Sequence, residues 1–294
     1  MTGARPIRLL MRICLLAGAL GAAACGPRYS REYWIAYQAN LELEGKLRTE
    51  RVPADAPFTD ADLAENFSKT AFGLDPEFLD DLGEEARADI DVIRRWIGPI
   101  RYAVYGGLTA SDRQALGDVT RRISRASGLS MTEVADPAAA DWNMGIYVFG
   151  YEERQAFLSH LRAEEDEALY EVFAGLFSDE LICSGTMLRR TDPDGNLTGE
   201  IGHALVFIRA ELPATLRRSC IEEELTQGMG LIRDDDAVRP SLFNEDEEFA
   251  LMTLHDELLM QILYDPRLKP GMSKAEAMPI VRRIAGELEL PARF

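Results

Sequence analysis

The sequence predicts an α+β fold, and three observations carry that prediction. Short runs of apolar and β-branched residues alternate with longer patterns of helical periodicity through the middle of the 294-residue chain. Two such runs flank residues 192–196, whose proline, glycine and aspartates are typical of a hairpin turn. After residue 246 only helical patterns remain, which predicts a helical C-terminal part.

Helical patterns precede the first strand. Residues 30–51 have helical periodicity until the proline-containing run 52–57 interrupts it. Thr59 is a typical N-cap for a helix that continues to about Phe72. A further helix is predicted over residues 83–96, where apolar residues recur on one face.

The first predicted strand, residues 100–105, ends at two glycines. Ser111 is a typical N-cap for a long helix to Ser127, which Gly128 then stops. The remaining predicted elements are, in chain order, strands at 129–134 and 143–149, helices at 152–162 and 165–177, hairpin strands at 181–188 and 201–208, a helix opened by Pro213, and helices at 246–264 and 273–288.

The helix that begins after Pro213 carries the most informative motif. Residues 220–233 read C-I-E-E-E-L-T-Q-G-M-G-L-I-R. This run resembles the zinc-binding helix of the metzincin proteases, H-E-x-x-H-x-x-G-x-x-H. The general-base glutamate is kept as Glu224 and the turning glycine as Gly230. The three histidine positions hold Glu223, Gln227 and Arg233.

Two later patterns extend the resemblance. Metzincins have a tight turn below the metal, and here Ser241, Leu242, Phe243 and Asn244 stand at a similar distance, with Phe243 at the methionine position. The helix that follows that turn in metzincins is matched at Asp256, Met260, Gln261, Leu263 and Tyr264. The chain is also similar to an uncharacterised bacterial lipoprotein family, a domain of unknown function, in E-E-L-T-Q, S-x-F-N and residues 263–272.

The resemblance implies a zincin-like, or metzincin-like, fold. In that family an upper lobe consists of a mixed sheet backed by two helices, and the second helix carries the metal ligands. Residues 111–127 would then be the backing helix and residues 213–229 the active-site helix. The domain would span residues 59–294, with the upper lobe at about 97–231 and the helical part at about 240–294.

The N-terminus predicts export. Three arginines precede a short apolar segment and a run of small residues, which is typical of a signal peptide at residues 1–24. Small residues directly before Cys25 indicate lipidation there, and residues 25–58 would form a tether and leading segment. The alternative is ordinary cleavage that releases a soluble periplasmic protein. The predicted location is the cell envelope, as an outer-membrane lipoprotein facing the periplasm.

The net charge of the chain argues against some classes of binding partner. The chain has 32 basic and 50 acidic residues, a net charge of −18 at neutral pH. This argues against nucleic acid as a partner, because nucleic acids require a basic surface. It also argues against electrostatic docking to anionic lipid, so a membrane would be reached through the anchor at Cys25.

Cys183 and Cys220 form an even pair in the exported part of the chain. An oxidising compartment favours a disulfide between them, which would tie the motif helix to the hairpin. The alternative is two buried thiols.

The motif helix provides the candidate site. Glu223 and Gln227 lie one helical turn apart, and Glu224 lies about 100° around the helix. One carboxylate and one amide make a poor zinc pair, and a guanidinium cannot bind a metal, so no metal or other cofactor is expected. Instead, Arg233 is hypothesised to replace the metal charge by pairing with Glu223 or Glu224. The alternative is an acidic helix face in solvent.

Other polar groups are weaker candidates. Residues 234–236 with Asn244, Glu245 and Asp246 could form a calcium loop, but such charge runs are more often solvated turns. The 192–196 run is interpreted as a turn with Gly195 at positive φ. His203 and His255 are interpreted as structural.

The sequence therefore predicts an exported, lipid-anchored protein with a degenerate metallopeptidase-like fold that no longer acts as a zinc peptidase. Its cleft is expected to bind a peptide or an envelope protein partner, with an extended peptide adding as a strand at the sheet edge. The alternative is a hydrolase with a non-zinc or unusual metal site, in which Glu224 is the general base and Glu223 and Gln227 orient water or an oxygen-bound cation. A third possibility is a structural lipoprotein whose cleft is filled.

Overall fold

The computed structural model describes residues 29–73, 91–138, 141–244 and 246–290. The predicted signal peptide, Cys25, Glu245 and the part of the predicted 83–96 helix before residue 91 lie outside the described residues.

Five strands form one mixed sheet, which confirms the α+β prediction. The strands are β1 (Ile100–Gly106), β2 (Met131–Glu133), β3 (Met144–Phe149), β4 (Cys183–Thr191) and β5 (Leu197–Arg209). Their order is β2-β1-β3-β5-β4, and all neighbours are parallel except β4 and β5, which form the antiparallel hairpin. The hairpin therefore places β4 at one edge of the sheet. Gly195 in its turn has φ +91°, as predicted.

Eight helices lie in the described residues: α1 (Arg31–Leu43), α2 (Asp60–Thr70), α3 (Ala110–Ser127), α4 (Tyr151–Ala163), α5 (Glu167–Leu176), α6 (Ala214–Gln227), α7 (Leu254–Tyr264) and α8 (Lys274–Glu287). Thr59 caps α2 and Gly128 ends α3 at φ +73°, both as predicted. None of these helices is long and apolar enough to cross a membrane.

Helices cover both faces of the sheet, because side chains along each strand alternate between the faces. Ile146 and Val148 of β3 belong to the larger apolar core, which includes α3 and α6. Tyr147 and Phe149 belong to a smaller, aromatic core under α4 and α5. The motif helix α6 therefore lies with α3 on one face and packs on β4 and β5.

Two helix predictions fail where the backbone pairs with distant segments. Residues 91–96 were expected to end a helix, but they are extended, since Ile93 N donates to Met272 O (2.8 Å) and Arg95 N to Gly199 O (3.0 Å). The predicted 246–264 helix begins only at Leu254, and the residues before it run beside 47–51, where Arg48 bridges to Phe249.

Helix boundaries were also displaced by a few residues. The N-cap of α3 is Thr109, not Ser111, because Thr109 forms a reciprocal capping box with Asp112. Pro213 precedes α6 as its N-cap residue. The first helix ends at Leu43, well before residue 51, and Leu47 follows it with φ +55°.

Candidate functional site

A cavity of about 510 Å³ lies between edge strand β4 and helix α6. Gly185 and Met187 lie on its β4 side, and Glu223, Glu224 and Gln227 lie on its α6 side. Asp234 and Glu247 reach the same cavity from the chain beyond α6. The structure therefore places three of the four predicted motif residues, all but Arg233, on one cleft wall.

The predicted disulfide between Cys183 and Cys220 is confirmed. It joins the first residue of β4 to the middle of α6, with the two Cα atoms 5.8 Å apart. The two walls of the cavity are therefore linked covalently.

Glu222 belongs to the fold and does not face the cavity. Its carboxylate is fully buried and receives two hydrogen bonds of 2.9 Å from the Arg51 guanidinium. Met252 N donates to it as well, at 2.9 Å. Glu222 therefore anchors the leading segment and the 247–252 strand-like segment to α6.

Glu224 is buried at the cavity wall without a full set of partners. It is 4% exposed, and its Oε2 atom has no hydrogen-bond partner. A Cβ atom placed on Gly185 would lie 2.7 Å from this oxygen. The carboxylate thus points across the cavity at β4, into space that exists because residue 185 has no side chain.

The carboxyl groups of the cavity disfavour one another's ionisation. Burial raises the pKa of Glu223 well above its usual range, and Asp234, Glu247 and Glu224 raise it further. Burial and then Asp234 raise the pKa of Glu224 in the same direction. The pKa of Glu247 is also raised by burial, against an opposing effect of Lys46. Ionisation of these carboxyl groups inside the cleft therefore costs free energy.

Gln227 turns toward the acidic loop after α6. Its Nε2 donates to Asp234 Oδ1 at 3.2 Å. A zincin helix would offer imidazole nitrogen at this position, whereas this amide is already occupied. Within the described residues no group of three or more histidine, cysteine or acidic side chains is arranged to hold a metal ion, so the residues present do not fit zinc.

The hypothesis that Arg233 pairs with Glu223 or Glu224 is wrong. Arg233 Nη2 lies 3.8 Å from Asp235 Oδ2, and Arg233 is not among the residues that line the cavity. The reason is the path of the chain after α6, where Ile232 N and Arg233 N both donate to Thr70 O (2.9 and 3.1 Å). This pairing with the end of α2 directs the side chain toward Gly73 and away from the cleft.

Gly230 is required by the turn that starts this path. Its φ is +112°, and a Cβ atom there would lie 2.1 Å from Arg94 O. The retained glycine of the motif therefore has a steric role in the tertiary structure.

The remaining motif residues support the cavity from outside. Ser241 Oγ donates to Asp256 Oδ1 (2.5 Å), and Phe243, with its side chain fully buried, accepts at its carbonyl from Asp235 N (2.9 Å). Asn244 Nδ2 donates to Asp236 O (2.7 Å) in the loop after α6. Two further hydrogen bonds hold the end of α6: Tyr264 OH donates to Met229 O (2.9 Å), and Trp96 Nε1 donates to Gly228 O (2.9 Å).

Sequence reasoning missed part of the site. Glu247 and Gly185 were not singled out, and Asp234 was considered only for a calcium loop. Glu247 has a backbone φ of +55°, which is uncommon for a residue with a side chain. No local pattern in the sequence predicts this conformation. Neither His203 nor His255 lines the cavity, and His255 is buried with Nε2 3.0 Å from Asn66 Nδ2.

Comparison of the sequence with known protein families finds a match over most of the chain. The profile of a family described as "Protein of unknown function (DUF2927)" matches residues 60–283, which include every strand and all helices except α1 and the end of α8. No curated protein matches the chain.

Proposed function

We propose that this chain, which belongs to the DUF2927 family, is a peptide-binding module of the cell envelope with a degenerate zincin-like fold. An extended segment of a peptide or envelope protein adds to the sheet beside β4 and lies in the cleft against α6.

The observation that carries this proposal is the position of β4 at the edge of the sheet, beside a cavity. Among the described residues, β4 forms a strand ladder with β5 alone, and no further strand pairs with residues 183–187 on the opposite side. An unpaired edge offers N–H and C=O groups to another strand, which is the basis of peptide binding by strand addition. Residues 181–187 of this edge line the cavity, so side chains of an added strand have space to enter.

The zincin-like assignment rests on topology together with the motif. The sheet is mixed, α3 and α6 lie on one face, and α6 carries Glu224 at the general-base position. Loss of all three imidazoles and the engaged Gln227 amide support binding without zinc chemistry.

The envelope location rests on the signal-like N-terminus, on Cys25 and on the disulfide, which suits an oxidising compartment. A Cys25→Ser variant is expected to move the mature protein from the membrane fraction to the soluble periplasmic fraction. Fractionation with immunoblotting checks this, and an unchanged membrane fraction would argue against a lipid anchor.

Strand addition is tested with peptides selected from a displayed library of random heptapeptides against the folded, oxidised protein. Each selected peptide is compared with a copy N-methylated at alternate amides, which cannot complete a ladder. We expect the unmodified peptide to bind and to protect β4 amides from hydrogen exchange, while the methylated copy does neither. Equal binding of the two copies, or protection elsewhere in the chain, would contradict the proposal.

Glu224 gives a second candidate function. Its buried, unpaired oxygen and raised pKa are features of acid–base residues in hydrolases. A hydrolase would cleave the selected peptides and lose that activity in Glu224→Gln with its fold intact. A binding module would leave them uncleaved over hours.

A further inference from the structure

The acidic side chains of the cleft come from separate parts of the chain. Glu223 and Glu224 lie on α6, Asp234 lies in the loop after it, and Glu247 lies before α7. Solvated acidic surfaces keep carboxylates apart and in water, whereas these four face one cavity of about 510 Å³.

Glu224 is the member of this cluster that has an unsatisfied oxygen. Its side chain is 4% exposed and Oε2 accepts no hydrogen bond. A buried acceptor without a donor costs free energy that a bound donor would recover. The empty space beside Gly185 is where such a donor would arrive.

Among the described residues, Arg94 and Arg189 also line the cavity, and both are engaged with other groups. Arg94 Nη2 donates to Gly73 O (3.0 Å), and Arg189 Nη1 donates to Thr198 O (3.5 Å). Lys46 forms ion pairs with Glu44 (3.7 Å) and Asp246 (3.5 Å). Lys46 opposes the raised pKa of Glu247, whereas no described cation donates a hydrogen bond to Glu224 Oε2.

We propose that the cavity is a specificity pocket for a basic side chain, lysine or arginine, carried by the peptide that adds beside β4. The proposal deepens the proposed function and rests on it. Side chains of an added strand alternate between the faces of the sheet, so a residue placed beside Gly185 on the α6 side directs its charged end toward Glu224.

An organic cation fits this pocket better than a metal ion. The described residues hold no group of three acidic, histidine or cysteine side chains close enough to bind one metal. The carboxyl groups are instead spread around a cavity large enough for an ammonium or guanidinium group and its carbon stem. Such a group donates several hydrogen bonds in different directions.

The test uses three N-acetylated, C-amidated heptapeptides with one selected sequence and lysine, norleucine or glutamate at the central position. Titration calorimetry on the full, oxidised protein is expected to show the lysine peptide binding at least about 10-fold tighter than the norleucine peptide. Glu224→Gln should remove this preference because it removes the charge of the acceptor. Gly185→Ala should remove it as well, because the added methyl group fills the space beside the Glu224 carboxyl group. Glu152→Gln and Gly175→Ala, both on helices outside the cavity, are the matched controls and should keep it.

Thermal unfolding with n-butylammonium chloride separates the pocket from strand addition, with sodium chloride at equal ionic strength and calcium chloride as comparisons. Stabilisation by n-butylammonium in the wild type but not in Glu224→Gln supports the pocket, even if no peptide binds and strand addition fails. Equal affinity for the lysine and norleucine peptides overturns the pocket and leaves strand addition standing. Protection by calcium alone overturns the organic-cation assignment, and no binding of peptide or amine overturns both proposals.

Discussion

Glu222 and Glu224 are two positions apart on α6 and have opposite surroundings. Glu222 is fully buried and its two oxygens accept from Arg51, Arg218 and Met252 N. Glu224 is nearly as buried, but one oxygen has no partner, and nearby Asp234 disfavours ionisation of its carboxyl group. The first carboxylate stabilises the fold, whereas burial of the second without a full set of partners costs free energy.

Replacing these two residues by glutamine should therefore change stability in opposite directions. Glu222→Gln should lower the free energy of unfolding by about 2–4 kcal/mol, because it leaves the Arg51 guanidinium without its counter-charge. Glu224→Gln should raise it by about 1 kcal/mol at pH 8, because the unfolded chain ionises this carboxyl group freely whereas its ionisation in the folded protein is costly. Urea unfolding measures both values. A loss of stability in Glu224→Gln as large as that in Glu222→Gln would show that Glu224 is a structural residue.

The effect of Glu224→Gln should depend on pH. The folded pKa of Glu224 is raised, so the folded protein holds a proton that the unfolded chain has released, and wild-type stability falls as pH rises from about 4.5 through the folded pKa. At pH 4 both states are protonated and the variant should match the wild type. The stability advantage of the variant should grow between pH 5 and pH 8. An advantage that is constant over this range would contradict the raised pKa.

At the scale of elements, β4 and α6 form the two walls of the cleft and are held together at Cys183 and Cys220. The cysteines are 37 residues apart in sequence, and the loop between them contains β5, an inner strand of the sheet. The disulfide therefore links the edge strand to the helix that carries the motif.

Cys183→Ser together with Cys220→Ser should lower the free energy of unfolding by about 2–4 kcal/mol, because the unfolded chain regains the entropy that the closed loop removes. Thermal and urea unfolding of the variant, with the wild type in reducing agent as a parallel sample, check this value. Peptide affinity should fall as well, since the cleft walls are no longer linked. Unchanged stability in both samples would mean that packing of α6 alone fixes the cleft.

At the scale of the whole molecule, the segment before the family match is part of the folded unit. Trp34 and Leu41 of α1 are buried in the main core, and Leu47 N donates to Glu247 O at 2.8 Å. Arg51 supplies the counter-charge to Glu222. The profile begins at residue 60, but these contacts cross that boundary.

Removal of residues 1–58 should therefore prevent stable folding, whereas removal of residues 1–28 should not. The longer deletion exposes apolar surface under α1 and leaves the Glu222 carboxylate buried without Arg51, a defect of several kcal/mol. Circular dichroism and gel filtration of the two truncated proteins give the comparison. A monomeric and cooperatively unfolding product from residues 59–294 would show that the leading segment is only a tether.

Local patterns in the sequence were sufficient to predict the strands, most of the helices, the α6 motif and the disulfide pair. Strand and helix periods, N-caps such as Thr59 and stop signals such as Gly128 act over a few residues, so they can be read locally. The cysteine pairing was predicted from an even count of cysteines and from the oxidising compartment that the N-terminal pattern led us to expect.

Contacts between segments that are far apart in the chain determine which polar groups lie together. Arg233 lies outside the site because its backbone N–H donates to Thr70 O. Residues 91–96 are extended because their backbone pairs with residues 199 and 272. Glu247 lines the same cavity as Glu223 and Glu224 because the segment that carries it runs beside residues 47–51. Such pairings join residues far apart in the chain, and their free energy depends on burial and distance, which no local pattern in the sequence contains.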